Sequence, residues 1–139
     1  LARIRSIPHT PHEFFEEDAL MNIGESGKFG EDKAAEYLRK KGYGIIRRNF
    51  SCRFGEIDII AENTGFLVFA EVKLRKNDMH GEAKEFVNYS KQQKIIRTAS
   101  LFLAGYDTEK QPRFDVIEVY APQGMFSPVK INHIEDAFM

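Results

Sequence analysis

Apolar and polar positions alternate most clearly over residues 56–73, EIDIIAENTGFLVFAEVK. Two runs rich in Ile, Val, Leu and Phe flank Asn63-Thr64-Gly65, a pattern that predicts two strands joined by a tight turn. A two-residue turn at Thr64-Gly65 sets Ile60 opposite Phe69, Asp58 opposite Glu71 and Glu56 opposite Lys73, all six on one face. Ile57, Ile59, Ala61, Val68, Ala70 and Val72 then form a wholly apolar opposite face. A slip of one residue would send Asp58 and Glu71 to different faces.

The periodicity changes on either side. GEDKAAEYLRKKG (30–42) predicts a helix with Ala34, Ala35 and Leu38 as its apolar stripe and Gly42 just past its end. YGIIRRNF (43–50) reads as a strand. Residues 74–90 are polar, predicting a loop with a short helical piece. SKQQKIIRTASLFLAG (90–105) predicts a second helix, with a capping box from Ser90 and Gln93 and Gly105 at its end. RFDVIEVYA (113–121) reads as a strand, and a last strand is expected within 128–134. The order helix, three strands, helix, strands implies an α/β fold with a mixed central sheet flanked by helices.

Composition adds bounds. The chain has 139 residues, 42% of them hydrophobic and twelve of them Phe, which suits one domain with a substantial core. Residues 1–20 carry two prolines, two histidines and an acidic cluster without clear periodicity. They read as a leader excluded from the fold, artificial or translated from upstream, or else as an N-terminal arm with a short helix over 13–20. Residues 21–139 are then the single domain. His9 and His12 lack further ligands and read as surface residues, as do His80 and His133. Cys52 is the lone cysteine, which excludes an internal disulfide and a thiolate zinc cluster. No apolar run approaches the roughly 20 residues needed to cross a bilayer. A cytoplasmic protein is expected, with no membrane association. The net charge of −1 means that any nucleic-acid surface must be local.

The acids on the predicted hairpin carry the chemistry. Opposed like charges destabilise a strand pair, and desolvated carboxylates cost several kcal/mol unless compensated. Lys73 compensates in part; a hard dication would do more, and carboxylate oxygens suit Mg²⁺ or Mn²⁺. Glu31 lies on the first helix's apolar stripe at its N-terminal end. It is either a third ligand or a carboxylate placed for the helix dipole. Gln92 shares an apolar stripe with Ile95, Ile96 and Ala99, flanked by Lys91, Lys94 and Arg97, which read either as a solvated face or as phosphate contacts.

Asp58 followed by Glu71-Val72-Lys73 is similar to the D…(D/E)-x-K signature of restriction-endonuclease-like nucleases. More closely, the chain resembles the YraN family of predicted endonucleases, related in fold to archaeal Holliday junction resolvases. The resemblance runs from about Gly27 to Val119. It is carried by GKFGEDKAAEYLRKKGY (27–43), RRNF (47–50), GEIDIIA (55–61), FAEVKLR (69–75), KQQKIIRTASLFL (91–103) and RFDVIEV (113–119). Ala70 stands where Val is usual before the Glu.

The resemblance implies a restriction-endonuclease-like core and a metal-dependent nuclease acting on branched or recombination-intermediate DNA. Its cofactor would be Mg²⁺ or Mn²⁺ and its assembly a homodimer. It points to Glu31, Asp58, Glu71 and Lys73 as catalytic, with Glu31, Asp58, Glu71 and the Val72 carbonyl as metal ligands. Glu56 would stand behind them, pairing with Lys73. Arg75, Lys76, Lys91, Gln92 and Lys94 would contact nucleic acid, with Arg47, Arg48 and Lys84 extending the basic rim. Asp115 reads as the structural partner of Arg113. Two alternatives compete: a nucleic-acid-binding accessory protein of recombination or repair with weak or no catalysis, and an interaction protein whose charges form a buried ion-pair network.

Overall fold

The computed structural model describes residues 23–75, 87–122, 124 and 128–139. The proposed leader, His80, Lys76 and Lys84 lie outside the described residues. In chain order the elements are α1 (Ile23–Lys40), β1 (Gly44–Cys52), β2 (Gly55–Glu62), β3 (Phe66–Arg75), α2 (Tyr89–Ala104), β4 (Gln111–Tyr120) and β5 (Lys130–Phe138). The strands form one sheet in the order β1-β2-β3-β4-β5, with β3 and β4 parallel and the other neighbours antiparallel. This is the expected α/β fold with a mixed sheet, consistent with a restriction-endonuclease-like core.

The hairpin takes the predicted register: Ile60 pairs with Phe69 and Ala61 with Val68. Asn63 fixes the turn, because its side-chain oxygen accepts the N–H groups of Gly65 at 3.0 Å and Phe66 at 2.8 Å. One residue departs from the expected facing. Ile57 packs with Ile60, Phe69 and Ile95 on the α2 side, while Ile59, Ala61, Val68 and Ala70 pack with Ala34, Ala35 and Leu38 on the α1 side. Its partner Phe50 lies on the α2 side too, against Phe102. Between Phe50 and Arg48 sits Asn49, whose φ of 53° breaks the alternation of β1.

Helix α1 ends where expected. Tyr43 donates to the Leu38 carbonyl at 2.9 Å and Gly42 to Arg39 at 3.0 Å, with Gly42 at φ 98°. That is a Schellman motif, and it needs glycine at the left-handed position. The helix starts seven residues before the expected Gly30, running through IGESGKFG although Gly24 and Gly27 disfavour it locally. Helix α2 begins at Tyr89 rather than Ser90. Its cap is Asn88, whose side chain accepts the Lys91 N–H at 2.9 Å.

A second polar network closes the sheet on the α1 side. Arg113 grips Asp115 through Nε at 2.9 Å and Nη2 at 2.8 Å, and also donates to the Tyr43 hydroxyl at 2.8 Å. His133 Nε2 meets the same carboxylate at 2.7 Å, and its Nδ1 meets the Tyr37 hydroxyl at 3.0 Å. The expected Arg113–Asp115 pairing is present. His133, expected at the surface, has a side chain only 4% exposed. Its partners come from α1 and β4, far away in sequence. The register of β4 and β5 shifts beside Asp115, and the Asp136 N–H freed there donates to Asp115 at 3.0 Å. Burial pushes the Asp115 carboxyl up, but the bonds from His133 and Arg113 prevail and hold it below its usual 3.8. Its contribution to stability is therefore present above that value and lost as pH falls through the lowered one.

Two stability measurements follow by urea unfolding. Asp115→Ala leaves the Arg113 guanidinium buried without its main partner, so a loss of about 3–5 kcal/mol is expected. At Gly30, inside α1, an added Cβ would meet Leu74 at 3.6 Å and Val72 at 3.7 Å, ordinary contact distances. Gly30→Ala should stabilise by about 0.5–1 kcal/mol through helix propensity.

Candidate functional site

The β2–β3 ladder stops at Ile59–Ala70. Beyond it, the Val72 N–H donates at 2.8 Å to the Asp58 carboxylate instead of to backbone. The side chain thus satisfies a donor that the diverging strands would orphan. The gap opens into a cleft of about 230 Å³ lined by Gly55, Glu56, Asp58, Glu71, Lys91, Lys94 and Ile95. Asp58 and Glu71 share this cleft, as the hairpin register requires.

Glu71 is 5% exposed, and its Oε2 lies 3.0 Å from Lys91 Nζ and 3.6 Å from Lys73 Nζ. Burial, then the charge of Glu71, pushes the Asp58 carboxyl up to about 7, against the pull of the Val72 N–H; Glu31 and Glu56 add smaller repulsions. Burial lowers the Lys91 amine, but the charge and hydrogen bond of Glu71 outweigh it and raise the group above its usual value. The pair is a concentrated negative site already partly neutralised by two ammonium groups.

The remaining expected residues are placed more variously. Glu31 approaches closely enough to act on Asp58, but its carboxylate accepts from Asn49 Nδ2 at 2.9 Å and Arg48 Nη2 at 3.4 Å. Arg48 also pairs with Asp32 at 2.8 Å, so this arginine serves α1 rather than an open rim. Arg47 lies over the Phe50 ring at 5.2 Å. Lys73 pairs with Glu71, while Glu56 is exposed at the cleft edge. Gln92 donates its side-chain amide to the Val87 carbonyl at 2.8 Å, bracing the start of α2. Arg75 Nε stands 3.7 Å from Glu118.

Glu118 was not foreseen. It pairs with Lys73 in the β3–β4 register and is 1% exposed. Its Oε1 accepts from the Tyr120 hydroxyl at 2.9 Å and Asn132 Nδ2 at 2.8 Å. The available signal was an acid inside the apolar run VIEVY, the same anomaly that singled out Asp58 and Glu71.

Asp58 and Glu71 offer oxygen donors only, and Mg²⁺ commonly takes one or two carboxylates with water and phosphate oxygens completing its shell. The pair fits such an ion. Among the described residues no three His, Cys, Asp or Glu side chains converge; Glu56 stands at the cleft edge, and Glu31 would first have to leave Arg48 and Asn49.

The family model described as "Uncharacterised protein family UPF0102" matches residues 30–119, more than half of the chain and all of the cleft. The chain belongs to the UPF0102 family. A UPF0102 protein of Caldanaerobacter subterraneus subsp. tengcongensis is 46% identical over 113 residues, covering 81% of this chain and 93% of its own. UPF0102 relatives from Caldicellulosiruptor bescii (45% over 120 residues; 85% and 100% covered) and Persephonella marina (46% over 113 residues; 81% and 91% covered) are similar. The UPF0102 match thus spans the α1–β4 unit that builds the cleft. Among the described residues no helix is long and apolar enough to cross a membrane.

The raised Asp58 carboxyl gives a pH test. Between 3.8 and about 7 the folded protein holds a proton that the unfolded chain releases, so stability falls as pH rises through that window. Asp58→Asn removes the effect. In EDTA it should match the wild type near pH 4 and exceed it by about 1–3 kcal/mol at pH 8, measured by urea unfolding. Equal stabilities at both values would show that Asp58 is not held under repulsion.

Proposed function

We propose that this UPF0102 protein is a divalent-metal-dependent nuclease that hydrolyses phosphodiester bonds in DNA, with branched or otherwise structured DNA as its substrate class. The observation that carries the reading is the pairing of Asp58 and Glu71 in one cleft, with Lys73 on Glu71. The family resemblance supports the choice of substrate. No element for reading base edges was evident in the sequence, which fits recognition through phosphates and DNA shape.

Asp58, Glu71 and the Val72 carbonyl would hold Mg²⁺ or Mn²⁺. The bound ion would acidify a water and offset charge gathering on the phosphate. Asp58 must be ionised to serve as a ligand, and the bound ion would itself favour that form. Lys73 is held to Glu71 at 3.6 Å, where its amine can orient the attacking water and stabilise the transition state. The water oxygen bonds to phosphorus and gives up a proton to solvent as the bond to the leaving oxygen breaks, and that oxygen takes up a proton from solvent. Glu31 would join only after release from Asn49. Lys94 lines the cleft and supplies a phosphate contact. A homodimer would bring two such clefts to two strands.

A catalytically weak or inactive nucleic-acid-binding accessory protein is the second reading. It is favoured by the engagement of Glu31 elsewhere and by the two lysines already on Glu71. The deciding experiment compares wild type with Lys73→Ala on branched, flapped and single-stranded DNA in Mg²⁺, Mn²⁺ or EDTA. Cutting is expected with metal only, reduced about 100-fold or more in a variant that stays folded. Metal-independent results, or no cutting of any substrate, would put the accessory reading ahead.

A further inference from the structure

Lys91 and Lys73 both sit on one carboxylate oxygen of Glu71, the residue that would hold a dication. The Lys91 Nζ is 3.0 Å from Oε2, nearer than the 3.6 Å of Lys73. The two lysines are held differently. Lys73 sits two residues from Glu71 on the same strand and cannot move far from it. Lys91 projects from α2, and its side chain is 46% exposed, so its head can leave Glu71 without disturbing the core. The backbone beneath it is fixed: Asn88 caps the Lys91 N–H at 2.9 Å and Gln92 is tied to Val87 at 2.8 Å. Only the side chain is free to change place.

Charge balance gives that movement a direction. Ionised Asp58 and Glu71 are matched by Lys73 and Lys91. A dication added to all four groups leaves the cleft with two excess positive charges, and an ammonium on the same oxygen would repel it strongly. If Lys91 withdraws to the cleft mouth, the excess charge left at the two acids falls from two to one, and an incoming phosphodiester anion offsets part of what the ion and Lys91 together bring.

We propose that Lys91 is a displaceable placeholder for the dication, leaving Glu71 when the ion enters and turning its ammonium to the cleft mouth to meet the backbone phosphate of the nucleic acid. The proposal rests on the nuclease reading of the site. It makes metal binding the event that frees a phosphate-binding group, so metal entry precedes firm DNA contact.

The test measures Mn²⁺ affinity by titration calorimetry without nucleic acid, and DNA affinity in Ca²⁺ across a salt series. Lys91→Gln removes the competitor, and it should bind Mn²⁺ at least about fivefold more tightly than wild type. Its DNA binding should weaken, with a salt slope smaller by about one contact. Lys91→Arg keeps the charge and should bind Mn²⁺ no more tightly than wild type. Circular dichroism confirms that both variants are folded. Mn²⁺ affinity unchanged or weakened in Lys91→Gln, with Mn²⁺ still bound and DNA still cut by the wild type, overturns the placeholder alone. Failure of wild type and Lys91→Gln alike to bind Mn²⁺ overturns both the placeholder and the nuclease reading.

Discussion

A backbone N–H that loses its strand partner needs another acceptor, and at two places in this sheet it finds an aspartate. Where β2 and β3 part, Asp58 accepts the Val72 N–H. Where the β4–β5 register shifts, Asp115 accepts the Asp136 N–H. The same device has opposite outcomes. Asp115 is surrounded by Arg113 and His133, so its charge is matched and the junction is locked. Asp58 is buried beside Glu71 with no cation paired to it among the described residues, and the junction lies at a cleft. Everything inferred about chemistry depends on that difference.

The two faces of the sheet divide the work accordingly. On the α1 side, Ala34, Ala35 and Leu38 pack against Ile59, Val68, Ala70 and Ile117, with the Asp115 network beside them. On the α2 side the packing is aromatic. Phe69, Phe114 and Phe138 stack across three strands with centroid spacings of 5.5 and 5.4 Å, and Phe102 meets Phe50 edge-on at 5.3 Å. Glu71 follows Phe69 by two residues on β3, so the cleft begins beside this aromatic packing. A rigid apolar body thus presents a charged rim whose geometry is set by strand register rather than by loop conformation.

Much of this was legible in the chain itself. The hairpin register could be read because the turn residues and the alternation agree on one pairing, and a slip would have buried charges on the apolar side. The end of α1 was legible because Gly42 is needed at a left-handed position. What escaped was long-range. His133 looks like a surface residue until Tyr37 and Asp115 are brought to it, and Glu31 looks like a ligand until Asn49 turns left-handed and takes its carboxylate. Glu118 was passed over although it bore the same mark as Asp58, an acid amid apolar strand residues. The start of α1 was missed because Gly24 and Gly27 argue locally against a helix. The family match covers residues 30–119, which include all the residues that line the cleft.

The contact between Tyr37 and His133 joins residues 96 positions apart. During synthesis, α1 and the first three strands can assemble as soon as they emerge, since their contacts are short in sequence. The clasp on Asp115 cannot close until β5 has been made. A nascent chain therefore holds a partly built sheet with its β4 margin open, and that margin is where an unfinished molecule is most exposed to pairing with a neighbour.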